Sequence, residues 1–163
     1  MKTLLIVCHS ITGGARQMAD AAQRGALSEH NIAVNRRSAA EATADDVSRA
    51  DGYLFVAPEN LASLAGVMKD FFDRTYYAAL DQINGRPYAT LVCAGSDGQN
   101  AVRQIERICT GWRLKRIAET LIVCTHAQTR EAILAPKIIE ADDLARCETI
   151  GATIATGLAL GIY

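Results

Sequence analysis

Residues 7–18, VCHSITGGARQM, hold the densest set of groups able to do chemistry: a cysteine, two hydroxyls and a pair of glycines, then Arg16. Such a set could serve a thiol-dependent phosphatase, in which a thiolate attacks phosphorus and an arginine clamps the oxygens. It could equally make a loop that holds a phosphate without reacting with it. Spacing separates the two. The phosphatase cradle is written C-x5-R, whereas seven residues, His9 to Ala15, lie between Cys8 and Arg16. Cys8 also ends an apolar strand-like run, which would bury its thiol away from any positive field that lowers a thiol pKa. A nucleotide-binding Walker loop is excluded because no Gly-Lys-Ser/Thr follows the glycines. What remains is a strand, Ser10-Ile11-Thr12-Gly13-Gly14-Ala15, and a helix. A helix start leaves backbone N–H groups unpaired and carries partial positive charge. Ser10 and Thr12 add hydroxyls, and Gly13 and Gly14 remove side chains that would keep an anion off the backbone. Arg16 falls in the first helical turn, within reach of an anion. The competing reading is a tight glycine turn that only joins two elements, because short glycine-rich matches are weak evidence.

The elements that must position this loop read as an alternation. Thr3–Cys8 is apolar and rich in branched side chains, as in a strand covered on both faces. Ala15, Met18, Ala19, Ala22 and Ala26 then form a small-residue stripe at helical spacing that lets a helix lie close to a sheet. IAVNRRS is a half-polar edge strand, where Arg36 and Arg37 either meet the phosphate of a second substrate or solubilise the edge. Gly52–Ala57 is apolar throughout and stops at Pro58. Leu64, Val67, Met68, Phe71, Phe72, Thr75 and Tyr76 give a helical stripe with Ser63 placed as its cap. INGRP is a turn. YATLVCAG and ETLIVCT are two further buried strands, separated by a helix marked by Val102, Ile105, Cys109 and Trp112. From Pro136 the pattern is helical, with Ile139, Leu144, Cys147, Gly151, Ile154 and Leu158 inward. Five apolar strands alternating with helices predict an α/β fold: a doubly wound five-stranded parallel sheet of order 2-1-3-4-5, with helices on both faces. Ligands of such sheets sit beyond the carboxyl ends of the strands. Those ends carry HSITGGA, PENLAS, AGSDGQN and THAQTR, and so place several polar or small-residue loops on one rim.

Composition narrows the class. The chain has 163 residues, 50% hydrophobic and 21% charged, with a net charge of −1. That size suits one domain, residues 1–163. The charge offers no electrostatic case for nucleic acid or an anionic membrane. MKTLLIVCHS resembles the apolar part of a signal peptide but runs into the glycine loop without a small-residue cleavage site, so a buried first strand is expected instead. The apolar C-terminal IGATIATGLALGIY is too short to span a bilayer. Cys8, Cys93, Cys109, Cys124 and Cys147 form no C-x-x-C pair and read as free thiols of a cytoplasmic protein. His9, His30 and His126 match no metal spacing.

The motifs together resemble the flavodoxin-like flavoproteins, in the NAD(P)H-dependent FMN reductase and quinone reductase branch. The phosphate loop of that family, T/S-x-T-G-x-T, is similar to Ser10–Ala15. Its pattern of an apolar strand, P-x-Y, a small-residue loop and G-x-x-K-x-F-x-D-R is met by ADGYLFVAPENLASLAGVMKDFFDRTYY, with Gly66, Lys69, Phe71, Asp73 and Arg74 in place. INGRPYATLVCAGSDGQNA is similar to its G-K-P strand and glycine loop, with Arg86 for lysine. The resemblance spans residues 1 to about 125. It implies FMN as cofactor and NAD(P)H as reductant. The phosphate would lie at Ser10, Ile11, Thr12, Gly13, Gly14 and Ala15. The ribityl chain and ring would lie against Pro58, Glu59, Asn60, Leu61, Ala62 and Ser63 and against Gly95, Ser96, Asp97, Gly98 and Gln99.

Two departures matter. Ala15 replaces a hydroxyl of the phosphate loop, a loss of about 1–2 kcal/mol of binding if one hydrogen bond goes. Glu59-Asn60 stands where the family often has Thr-Tyr, so a ring-stacking aromatic is missing there. Tyr76, Tyr77 or a partner subunit could cover the ring, though helix packing accounts for both tyrosines. Glu59 is either a charge that lowers the flavin potential or a solvent-facing glutamate. His126 and Asp97 fall on the same rim, as substrate contacts or as plain loop residues.

The resemblance implies an oxidoreductase that passes electrons from nicotinamide through FMN to a quinone, a flavin or a similar small acceptor. The chemistry resides in the cofactor, so no catalytic triad is expected. The alternatives are a flavodoxin-type electron carrier without activity of its own, or a degenerate member acting as a binding domain. A homodimer is also compatible, because reductases of this family often build the site between subunits; Trp112 or the apolar C-terminus could contribute to it.

Overall fold

The computed structural model describes residues 1–163. Strand β1 (Lys2–Cys8) leads into helix α1 (Gly14–Leu27), then β2 (Ile32–Ser38), α2 (Ala44–Arg49) and β3 (Gly52–Asn60). A two-residue β4 (Ser63–Leu64) precedes α3 (Gly66–Ala79), β5 (Pro87–Ala94) and α4 (Gln99–Gly111). The chain closes with β6 (Lys115–Arg116), β7 (Leu121–Cys124), a short α5 (Arg130–Leu134) and α6 (Ala141–Ala159).

The sheet is parallel in the order β2-β1-β3-β5, and both β6 and β7 pair with the far edge of β5. The expected order of five strands therefore holds, with the fifth position split in two. β6 matches Pro87–Tyr88 and β7 matches Leu91–Ala94. The small β4 folds back antiparallel on the end of β3. This is the flavodoxin-like architecture.

Side-chain alternation along the strands makes two apolar layers. Leu4, Ile6, Leu54, Val56, Leu91 and Cys93 face α1 and α6. Leu5, Val7, Tyr53, Phe55, Tyr88 and Val92 face α2, α3 and α4, where Phe71, Phe72 and Trp112 pack edge-on and tilted against one another. Trp112 is buried in that cluster, so it presents nothing to a second subunit.

Three details differ from the sequence expectation. Ser63 does not cap α3: Ala65 holds that position without a side-chain bond, and Ser63 lies in β4, donating to Gln104 Oε1 at 3.0 Å. The chain first makes a tight hairpin turn at Leu61 and Ala62, both with positive φ, and that turn takes up the residues of the expected cap. β3 runs past Ala57 through Pro58 to Asn60. Its pairing with β1 ends at Val56, so the missing N–H of Pro58 breaks no bond to that neighbour. α6 begins at Ala141, not Pro136, because Lys137 and Ile139 are drawn into hydrogen bonds with α1 and the loop before it.

The small-residue stripe lies against the core as expected. Ala15, Met18, Ala19, Ala22 and Ala26 are all buried. α6 crosses at the same face through two glycines. A Cβ at Gly25 would lie 1.9 Å from the Glu148 carbonyl oxygen, and one at Gly151 would lie 1.9 Å from the Ala22 carbonyl oxygen. Replacing Gly151 with Ala would gain about 1 kcal/mol in helix propensity. It would also overpack a contact between two backbones, which costs about 1–3 kcal/mol. Gly151→Ala is therefore expected to lower the urea midpoint, and an unchanged or raised midpoint would show that the two helices can part without loss.

Candidate functional site

The carboxyl ends of β1, β3, β5 and β7 open into one cleft of about 510 Å³, within the usual size range of small-molecule sites. Ser10, Ile11, Thr12, Gly14 and Ala15 line it from the first loop, and Pro58, Glu59, Asn60, Leu61 and Ala62 from the second. Gly95 and Ser96 line it from the third. Five of the residues expected to contact FMN stand outside the lining: Gly13, Ser63, Asp97, Gly98 and Gln99.

Gly13 and Gly98 serve the backbone. Gly13 takes a φ of 90° just before α1, and Gly98 a φ of 83° just before α4, where a Cβ would lie 2.7 Å from Ile122 Cγ2. Both lie in the left-handed region that glycine adopts most readily. Gly14 is set by packing: a Cβ there would come within 2.6 Å of Cys93 Sγ. Asp97 and Gln99 are exposed.

The first loop is a row of unused donors. The backbone N–H groups of Ser10, Ile11, Thr12 and Gly13 donate to no protein acceptor, and those of Gly14, Ala15 and Arg16 begin a helix with no preceding turn to receive them. The hydroxyls of Ser10 and Thr12 have no protein partner either. No acidic residue occupies the first turn of α1. A compact anion fits this arrangement.

The other loops are stitched firmly around it. Gln17 Nε2 donates to the carbonyls of Lys137 (2.6 Å) and Gly13 (3.0 Å), its Oε1 accepts from Ile139 N (3.2 Å), and Lys137 N donates to Thr12 O (2.8 Å). The Glu59 carboxylate accepts from Gly98 N (3.0 Å) and Ala101 N (3.4 Å) at the start of α4. Glu59 lines the cleft half-buried, and its charge meets the positive end of a helix. Asn100 Nδ2 donates to Ala62 O at 2.6 Å and holds the hairpin tip where Leu61 and Ala62 take φ of 49° and 57°.

The rim loop expected at Thr125 to Arg130 does reach the cleft, though His126 does not line it, and the chain beyond that loop adds residues that the sequence pattern does not reveal. Thr125, Ala127, Ile133, Leu134 and Lys137 also line the cleft. The length of chain between the apolar run ending at Cys124 and the inward residues of α6 was the available signal; the helical spacing read from Pro136 obscured it. No aromatic side chain lines the cleft. Leu61 (101% exposed), Ile11, Leu134 and Ile133 stand around its mouth instead. Tyr76 and Tyr77 lie against each other on the exposed side of α3, with centroids 5.1 Å apart, away from the cleft.

Cys8 is no nucleophile. It is buried, its Sγ lies 3.8 Å from Ala15 O, and burial pushes its thiol pKa up despite the nearby Arg36. Burial likewise pushes Cys93 up to about 11. Arg36 pairs with Asp20 and Arg37 with Asp46, so neither is free for a second substrate.

The sequence matches the family of NADPH-dependent FMN reductases over residues 15–128. The chain belongs to this family. The matched span starts at Ala15, after most of the first loop, whose case rests on the free amides just described. Among curated proteins, the chain is 32% identical over 95 residues to an NAD(P)H dehydrogenase (quinone) of Acidithiobacillus ferrooxidans, covering 46% of this chain and 48% of the relative. It is 31% identical over 96 residues to a flavodoxin of Aquifex aeolicus, covering 59% and 50%. It thus spans about half the length of the curated relatives it matches. A solved flavodoxin from the domain Archaea superposes with a TM-score of 0.76 at 19% identity, covering 97% of this chain and 99% of that one. At that identity the likeness is one of fold. Membership of this reductase family assigns the chain to the FMN flavoproteins. No helix is long and apolar enough to cross a membrane.

Glu59→Ala removes a carboxylate that accepts two amide bonds, and is expected to cost about 1–2 kcal/mol in urea unfolding, with Glu59→Gln recovering part of it. Equal stability of all three proteins would mean that the carboxylate does not hold α4.

Proposed function

We propose that the chain binds FMN in this cleft and works as an NAD(P)H-dependent oxidoreductase toward a small acceptor such as a quinone or a free flavin. The observation that carries the reading is the run of unpartnered amides and hydroxyls from Ser10 to Arg16 at one end of a cleft of suitable volume. In this reading Ser10, Ile11, Thr12, Gly13, Gly14 and Ala15 hold the phosphate. Pro58 to Ser63 and Gly95 to Gln99 flank the ribityl chain and ring. Gly13 and Gly98 shape their loops through left-handed backbone, Gly13 offering its free amide as well, while Ser63, Asp97 and Gln99 stand outside the lining. The family supports the reaction class.

Bound FMN would supply the electron chemistry, accepting a hydride from nicotinamide and passing electrons on. The chain's own residues bind and orient. The amides of the first loop offset the phosphate charge with dipoles that need no rearrangement on binding. The hydrogen-bonded tip at Leu61 and Ala62 presents a fixed wall to the ring. Ile133 and Leu134 give an aliphatic surface on the segment after β7 and would help to keep water off that side.

A flavodoxin-type carrier is the second reading, favoured by the likeness to the Aquifex flavodoxin. One experiment separates the readings. After incubation with FMN and removal of the unbound flavin, the purified chain is expected to stay yellow with one FMN per chain, and adding NAD(P)H with a quinone to give sustained nicotinamide oxidation. A yellow complex that oxidises no nicotinamide would favour the carrier. A chain that stays colourless would remove both readings.

A further inference from the structure

Two cations flank the glycine pair, and neither is matched by a carboxylate. Lys137 is half-buried and lines the cleft; its Cβ lies 3.4 Å from where a Cβ of Gly14 would sit. Its ammonium group donates to the carbonyl oxygens of Ala132 (2.7 Å), Ile133 (2.8 Å) and Ala135 (2.6 Å) and forms no ion pair. On the other flank the Arg16 guanidinium folds back over the loop, with Nη2 3.5 Å from the Cβ position of Gly13. Arg16 is exposed and makes neither an ion pair nor a hydrogen bond. Asp20, one turn along α1 from Arg16, is already engaged by Arg36.

Most cations on this chain do have partners. Lys2, Arg24, Arg36, Arg37, Arg49, Lys69, Arg74, Arg113, Arg116 and Arg146 all pair with carboxylates. Of the seven without a carboxylate partner, Arg16 and Lys137 flank the loop where backbone donors are unpaired and Ala15 offers no hydroxyl. A phosphate monoester carries about −1.5 to −2 charges at neutral pH, which dipoles alone match incompletely. Carbonyl oxygens can fix an ammonium in place but leave its net charge intact.

We propose that Lys137 and Arg16 make the phosphate end of this cleft a charged one, taking the place of the missing hydroxyl and selecting phosphorylated flavin over riboflavin. The inference rests on the FMN reading above. Lys137 acts from its carbonyl perch through the field it adds, and Arg16 closes over the solvent side of the loop.

The test compares FMN and riboflavin affinity, by titration of flavin fluorescence, for the wild-type chain and for Lys137→Met, Arg16→Gln and the double variant, at low and high salt. Each single variant is expected to weaken FMN by about fivefold or more at low salt and to leave riboflavin unchanged, and the double variant to lose most of the salt dependence. Lys137→Arg is expected to keep the preference for FMN. If both flavins weaken together, or if melting temperature falls while the FMN-to-riboflavin ratio holds, the two residues are structural and the inference fails alone. Arg16→Gln, at an exposed position, keeps the test valid if Lys137→Met does not fold. A wild-type chain that binds neither flavin overturns the FMN reading and this inference with it.

Discussion

Peptide N–H groups left over where β1 gives way to α1 are the constraint from which the rest of the site follows. An α-helix cannot satisfy its first amides internally, and here the loop before it adds more, because Ser10 to Gly13 turn too tightly to pair with a neighbouring strand. Left to water, such donors are ordinary. Gathered on one concave wall beside two free hydroxyls, with no carboxylate in the first helical turn, they form a fixed positive field. Its charge sits in the backbone, so almost any side chains could accompany it, which explains why the loop itself lacks a basic residue between Cys8 and Ala15 other than His9.

A field of that kind is useful only if it stays aimed, and the packing beneath it does the aiming. α1 lies close to the sheet through its alanines, and it is pressed there by α6, which comes near enough to exclude a Cβ at Gly25 and at Gly151. Gln17 then ties the first loop to the segment after β7 through three hydrogen bonds. On the opposite side, Glu59, Asn100 and Gln104 bind the β3–β4 hairpin to α4. The cost of two residues in left-handed conformation, about 1–3 kcal/mol each, is borne by those bonds. The result is a cleft with a polar, rigid end and an aliphatic mouth formed by Leu61, Ile11, Ile133 and Leu134.

Much of this was legible in the residues. Apolar runs such as LLIV and YLFVA suit strands covered on both faces, the alanine stripe of α1 states its burial outright, and the alternation of such strands with helices points to the sheet order. The loop at Ser10–Ala15 could be read because backbone donors are announced by glycines and by a helix start. The features that were missed depend on contacts between residues far apart in the chain. Ser63 looked like a helix cap because local spacing cannot show that Leu61 and Ala62 make a hairpin turn first. Glu59 could not be placed, since its partners Gly98 and Ala101 come from another strand–helix junction. Residues 136–140 have helical spacing, yet Lys137 N donates to Thr12 O and Gln17 bonds to both Lys137 O and Ile139 N, which holds them outside α6 and brings Lys137 into the cleft. Helical spacing suits Tyr76 and Tyr77 as packing residues, and no local pattern shows that they stand exposed and lie against each other.

The claim that the first loop grips a phosphate through its amides can be put to a single measurement: amide chemical shifts of the nitrogen-15-labelled chain, recorded with FMN and with riboflavin. The account predicts large shifts at Ser10 to Arg16 with FMN and small ones there with riboflavin, alongside shifts near Leu61 and Gly95 with both. Shifts from FMN that leave Ser10 to Arg16 untouched would contradict it.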